Sequence, residues 1–301
     1  MRPGTVGPVP LAELLDQPPP RHQPDVPAED PRPREVPGER ERDHHRPDQH
    51  ADPALRLVGD RAVRRVTSVL DGVRREVRRS LWDRVPRDHR ESARALRRRQ
   101  WVTGVVVVVG AGVLGLSLRI APGNDSFYPA TLGLALVWTV GAFVSGPLHL
   151  GRAWQGDEPG PRPVLVPLLC GALLAVVFVA GALVVREVPW LDHQVRHVLD
   201  HADQGSIPLL VLVTALNAVA EELFFRGALY AATPRYPVVV TTAAYTLATL
   251  ATGNAMLAFA AMLLGAVVGL ERRATGGIQA PVLTHVVWSL ILLLALPAIF
   301  G

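Results

Sequence analysis

Glu221 and Glu222 stand side by side in an apolar run from Ile207 to Leu229, and Arg226 follows one helical turn after Glu222. A charged side chain at bilayer depth costs roughly 3 kcal/mol or more unless it is paired, protonated or bound to a metal, so an intramembrane acidic pair points to function. On a helix, Glu222 and Arg226 are four apart and share a face. Glu221 lies about 100° away, on the face that carries Thr214 and Asn217. One carboxylate can therefore be braced by the arginine while the other takes a proton from water. An ion-pair staple needs one glutamate only, and the second is the excess that calls for a partner.

Two later segments carry further candidates. Thr242, Tyr245, Thr246 and Thr249 recur at three and four residues, with Thr252 nearby, and form one polar stripe. Such a stripe also suits simple interhelical hydrogen bonding. His285 is the only histidine after His201, and Ser289 follows it one turn later. A lone histidine on a spanning helix is either a hydrogen-bonded core residue or, beside an unexplained glutamate, a metal ligand or proton carrier. His193, His197 and His201 line one face if their loop is helical, where they bind a metal, sense pH or only face solvent. His149 is the other nearby histidine. The single cysteine, Cys170, excludes a disulfide framework and a Cys-based zinc site within one chain. His-Glu-x-x-His, Gly-x-Ser-x-Gly and Gly-x-Gly-Asp are all missing.

The elements that must position these residues are spanning helices. Seven apolar segments, about 101–118, 127–148, 164–185, 206–225, 237–252, 255–270 and 280–300, approach the roughly 20 residues a bilayer requires. Their backbone must be satisfied internally, which makes them helices. The fold class is all-α, a polytopic transmembrane helical bundle of about seven spanning helices occupying residues 101–301. The fifth and sixth segments are short and separated by Gly253-Asn254. Gly265-x-x-x-Gly269 permits close helix packing, within the chain or between chains.

Ahead of the bundle, residues 1–56 are rich in Pro, Arg, Asp, Glu and His. They bury too little apolar surface to repay ordering and read as disordered. They lack the apolar core and cleavage site of a signal peptide. In 57–100, apolar residues at helical spacing (Val58, Ala62, Val66, Val69, Val73, Val77, Leu81) alternate with arginines, an amphipathic basic helix suited to an anionic membrane surface. The chain has no lysine, so its basic balance comes from arginine. No nucleic-acid-binding motif accompanies it, so the lipid bilayer and not nucleic acid is the expected partner. Arginines before Trp101, in the 149–163 and 226–236 loops and at Arg272-Arg273 share one side, against Arg119, Arg186 and Arg196 on the other. This pattern predicts a cytoplasmic N-terminus in the plasma membrane, with Glu221 and Glu222 in the cytoplasmic half of their helix.

Ala220-Glu221-Glu222-Leu223-Phe224-Phe225-Arg226-Gly227 resembles the first motif of the CPBP family of intramembrane metalloproteases, which includes CAAX prenyl endopeptidases and bacteriocin-processing proteins. Ala280 to Trp288, around His285, resembles its third motif, and the likeness covers about 205–300. The second motif, an aromatic residue followed four positions later by histidine, aligns with Tyr245 and Thr249. Threonine thus stands in the histidine position, and Ser289 stands where asparagine is usual. The resemblance implies that Glu221 activates a water against a peptide carbonyl, that Glu222 and Arg226 brace the site, and that Glu221 and His285 hold zinc. Tyr245, Thr249 and Ser289 would be weak or supporting groups. The implied substrate is a peptide or membrane-protein tail near the cytoplasmic face. A catalytically impaired member that binds peptides or partners, and a proton-relay transporter using Glu221 and His285, are the alternatives.

Overall fold

The computed structural model describes residues 53–82, 84–85, 91–152, 154–155, 158–159, 162–203 and 206–301. In chain order the helices are α1 (Pro53–Val77), α2 (Ala93–Ser117), α3 (Phe127–Ser145), α4 (Leu165–Val185), α5 (Pro189–Asp203), α6 (Ile207–Glu222), α7 (Tyr230–Ala232), α8 (Pro237–Leu250), α9 (Ala255–Thr275), α10 (Gln279–Ala295) and α11 (Pro297–Phe300). A π-helical turn, Arg78–Trp82, extends α1, and a second, Leu223–Leu229, joins α6 to α7. A two-residue β-ladder, Trp154–Gln155 (β1) against Glu158–Pro159 (β2), lies between α3 and α4. The chain divides into two units, Met1–Arg56 and Leu57–Gly301, and the bundle is the second. The proline- and arginine-rich region up to residue 52 lies outside the described residues.

The all-α reading holds, and six of the helices are long and apolar enough to cross a membrane: Ala93–Ser117, Phe127–Ser145, Leu165–Val185, Ile207–Ala232, Ala255–Thr275 and Gln279–Phe300. The fifth expected span, 237–252, is the shorter helix Pro237–Leu250. Local chemistry sets several boundaries. Ser92 caps α2 by accepting the Ala95 N–H at 3.2 Å, and Asn254 caps α9 by accepting the Leu257 N–H at 3.0 Å. Gly276 closes α9 in the left-handed region at φ 69°, returning its N–H to the Arg272 carbonyl.

Two expectations change. Residues 226–232 are helix rather than loop, because the π turn carries α6 on through Ala232. Glu222 therefore lies ten residues before the end of its span, about 15 Å along the axis, nearer mid-helix than a helix ending at 225 implies. Glu271, Arg272 and Arg273 lie inside α9 rather than in a connecting loop, and the first two are buried.

The core forms where α3, the π turn after α6, α8 and α9 meet. Trp138 is 1% exposed and stacks against Phe224 and Phe225 at ring separations of 4.8 and 5.0 Å, while Phe225 meets Tyr245 at 4.9 Å. Alanines at 135, 142, 220, 228, 248 and 261 complete this cluster and let the helix backbones approach. Gly265 and Gly269 face α8 and Arg226 of the same chain. A Cβ on Gly265 would lie 3.0 Å from Arg226 Nη2, and one on Gly269 would lie 3.0 Å from Val238. This pair of glycines is thus spent within the bundle, and the first makes room for a site residue. Trp138→Ala is expected to destabilise the bundle by about 3–5 kcal/mol, since it empties the space between both phenylalanines. Unfolding of the purified variant in mixed micelles checks this, and a cost under about 1 kcal/mol would contradict it.

A backbone clasp sets the start of α10. The Ile278 and Gln279 N–H groups donate to the His149 and Leu150 carbonyls at 3.0 and 2.9 Å, and Arg152 N–H donates to Thr275 O at 2.9 Å. Gly277 runs so close to Leu150 and Gly151 that any Cβ there would collide with their backbone. His149 thus contributes its carbonyl here, and its side chain is exposed. The N-terminus of α2 is tied to the end of α3 by arginines: Arg98 donates to Val144 O at 3.1 Å, and buried Arg99 reaches Pro147 O and pairs with Glu91.

Candidate active site

Helix α6 delivers both glutamates, and the π turn directly after it delivers Arg226. Single π turns inside helices recur at functional sites, because they shift side-chain register locally. Here the turn keeps Arg226 over Glu222. Arg226 Nη1 donates to Glu222 Oε1 at 3.0 Å, and both side chains are fully buried. The guanidinium also lies over the Tyr245 ring, 4.8 Å from its centroid, and over Phe225 at 5.9 Å. Its own backbone carbonyl accepts Arg272 Nε at 2.7 Å.

Helix α10 packs against α6 and brings His285 to the same carboxylate. His285 Nδ1 lies 2.8 Å from Glu222 Oε1. An ionised carboxylate only accepts, so Nδ1 carries the hydrogen, and in the neutral ring Nε2 presents a lone pair. Nε2 faces Glu221 Oε2 at 3.9 Å. Glu221 receives the Tyr245 hydroxyl at 2.6 Å on that same oxygen. The glutamates thus divide their work. Glu222 takes Arg226 and His285 on Oε1 at full burial and leaves Oε2 without a hydrogen-bond partner among the described residues, while the Glu221 side chain keeps 15% exposure and accepts only the Tyr245 hydroxyl.

The remaining predicted groups are placed differently. Thr249 is buried one turn beyond Tyr245, and its hydroxyl donates back to the Tyr245 carbonyl at 2.9 Å. Ser289 is half-buried on α10, with no hydrogen bond to the glutamates or His285 among the described residues. Asn217 donates to Val213 O of its own helix at 3.0 Å and does not join the site. The three histidines of α5 differ in burial: His193 and His197 are exposed, while His201 is buried against Phe127, lies 5.9 Å from the His197 ring and contacts the His197 and Ile120 carbonyls at 3.1 and 2.9 Å.

One carboxylate was not singled out in the sequence. Glu271 is 1% exposed, accepts the Thr284 hydroxyl at 2.7 Å on Oε1, and leaves Oε2 without a partner among the described residues. Thr284 also reaches the Pro167 carbonyl at 3.0 Å, so this cluster joins α4, α9 and α10 one residue from His285. Its sequence shows a glutamate following Leu270 at the end of an apolar run, ahead of two arginines that disguise it as a helix end.

Residues 203–291 match the family model described as type II CAAX prenyl endopeptidase Rce1-like. The match supports a CPBP-type region over residues 203–291 of the chain. The matched span is under a third of the chain and contains every residue of the site above. No curated protein and no solved structure matches the chain. This family match and the six helices long and apolar enough to cross a membrane support an integral membrane protein.

Against the CPBP motifs, the first is intact in sequence, and Tyr245 keeps the aromatic of the second. The hydrogen bond from His285 Nδ1 to Glu222 is also the kind of carboxylate contact that orients a metal-ligating imidazole. The donor set, however, does not fit a zinc site. Among the described residues, Glu221 and His285 Nε2 are the conventional donor atoms that face each other, where three protein ligands are usual. No group of three His, Cys, Asp or Glu able to hold a metal exists among the described residues. Thr249 supplies a neutral hydroxyl already committed to a carbonyl.

Proposed function

We propose that this protein is an intramembrane endopeptidase of the CAAX-protease type, with Glu221 as general base. The observation that carries the reading is the division of labour between the two glutamates. Arg226 and His285 hold Glu222 in place, and Glu222 in turn fixes the imidazole. Glu221 remains accessible, oriented by Tyr245, facing the Nε2 lone pair. A water positioned by these two acceptors loses a proton to Glu221 as its oxygen attacks the peptide carbonyl. When the carbon–nitrogen bond breaks, Glu221 returns that proton to the departing amine. Atoms and charge balance without another reactant. The proposed substrate is a prenylated CAAX-type peptide or another protein tail lying at the membrane surface. The proposed setting is the plasma membrane with a cytoplasmic N-terminus, which the arginines before Trp101 and those at 152, 162, 235 and 273 support.

The reading is tested by reconstituting the full chain in liposomes with a prenylated CAAX-type peptide and following new amino termini by mass spectrometry. Cleavage that disappears in Glu221→Gln supports it. Absence of cleavage, with the peptide still bound, favours the second reading, a partner-binding CPBP member. The Thr249 hydroxyl turned back onto its own helix favours that second reading as well. Zinc offers an independent check. Thr249→His would add a third strong donor on the turn after Tyr245, and the variant is expected to bind about one zinc per chain. Elemental mass spectrometry reads this directly. The metal should be lost when His285→Ala is added, and a Thr249→His protein without zinc would show that position 249 does not face Glu221 and His285.

A further inference from the structure

The apolar face of α1 is not absorbed by the bundle. Val66, Val69, Leu70, Val73 and Val77 are 49–63% exposed, and Trp82 just beyond them is 70% exposed. Their spacing puts the five aliphatic residues in one stripe along the helix. Arg65 and Arg74 flank that stripe, about 100° to either side, while Arg64, Arg75 and Arg79 occupy the opposite face. Over 64–82 the arginines face only Asp71 and Glu76 in opposition.

The position of this helix is fixed by the bundle rather than by the stripe. Arg273 Nη2 donates to the Leu81 carbonyl at 3.1 Å, and Val85 N–H donates to the Arg273 carbonyl at 3.3 Å. Arg273 stands in the last turn of α9, a spanning helix. The basic helix therefore leaves the bundle at the depth where α9 meets the headgroups, the depth that an exposed tryptophan favours.

We propose that residues 64–82 are a docking face for an anionic bilayer leaflet, lying in the plane of the membrane that holds the bundle. The valines and leucine enter the acyl boundary, Arg65 and Arg74 reach lipid phosphates from the rim, and Trp82 sits among the headgroups. This occupant satisfies both faces at once. A nucleic acid would engage the arginines and leave the aliphatic stripe in water. A second copy would set two like-charged helices against each other.

The test is hydrogen–deuterium exchange of the full chain in nanodiscs of phosphatidylcholine alone and of phosphatidylcholine mixed with phosphatidylglycerol. Amides of 64–82 are expected to exchange at least about tenfold more slowly in the anionic discs. High salt should remove that difference. So should either the joint substitution Arg74→Glu, Arg75→Glu, Arg78→Glu and Arg79→Glu, or the joint substitution Val69→Asp and Leu70→Asp. All the substituted side chains are exposed, and exchange in α6 and α10 reports that the bundle stays folded. Equal exchange in the two kinds of disc overturns the proposal. Protection that follows protein concentration, or that an oligonucleotide gives in neutral discs while anionic lipid does not, overturns it in favour of a second copy or a nucleic acid.

Discussion

Glu221→Gln is expected to reduce peptide cleavage by about 10²- to 10⁴-fold, the usual contribution of a positioned general base, with little change in stability. The amide keeps the shape of the side chain and still accepts the Tyr245 hydroxyl, which lies 2.6 Å from Oε2 in the parent. It cannot take a proton from water. Because Glu221 retains partial exposure and makes no ion pair shorter than 3.9 Å, its charge contributes little to the bundle. Glu222→Gln separates the two roles. That substitution weakens the pair with Arg226 and the bond to His285 Nδ1, so it should lower stability along with activity. Rates on a membrane-anchored peptide, measured beside unfolding midpoints, distinguish them. If Glu221→Gln and Glu222→Gln lose stability equally while cleavage by Glu221→Gln persists, Glu221 is a packing residue and the base lies elsewhere.

The sequence exposes Glu221, Glu222 and Arg226 because charge inside an apolar run is costly and four-residue spacing pairs Glu222 with Arg226 on any helix. It does not reveal that Glu222 also takes His285. That contact joins residues 63 apart in the chain and depends on how α10 lies against α6. The π turn at Leu223–Leu229 has no periodic signature, so a charge that belongs to the core, Arg226, reads as a loop arginine. Glu271 is hidden for the opposite reason. Its neighbours Arg272 and Arg273 make it look like a solvated helix end, and only packing against Thr284 shows it buried. The departure at Thr249 is visible in the sequence. Its consequence is not, since the hydroxyl's return to the Tyr245 carbonyl is a local bond that any threonine in a helix can make.

Arg226 and Glu222 should show the strongest energetic coupling in the molecule. Both are fully buried, and Arg226 leaves Nε and Nη2 without hydrogen-bond partners among the described residues. Its charge is therefore compensated mainly by one carboxylate and by the faces of Tyr245 and Phe225. Arg226→Met keeps the length of the side chain and strands the Glu222 charge beside His285. Removing one partner of a buried pair typically costs about 3–5 kcal/mol. Glu222→Gln strands the arginine and should cost a comparable amount. The double substitution removes both charges, so its cost should fall below the sum of the two by about 1–3 kcal/mol. Equilibrium unfolding of the four proteins in mixed micelles closes this cycle. Activity should not return with stability in the double variant, because His285 no longer meets the carboxylate that fixes its tautomer and aims Nε2 at Glu221. Additive costs across the cycle would mean that the 3.0 Å contact carries no net energy, and Arg226 would then be held by its aromatic neighbours alone.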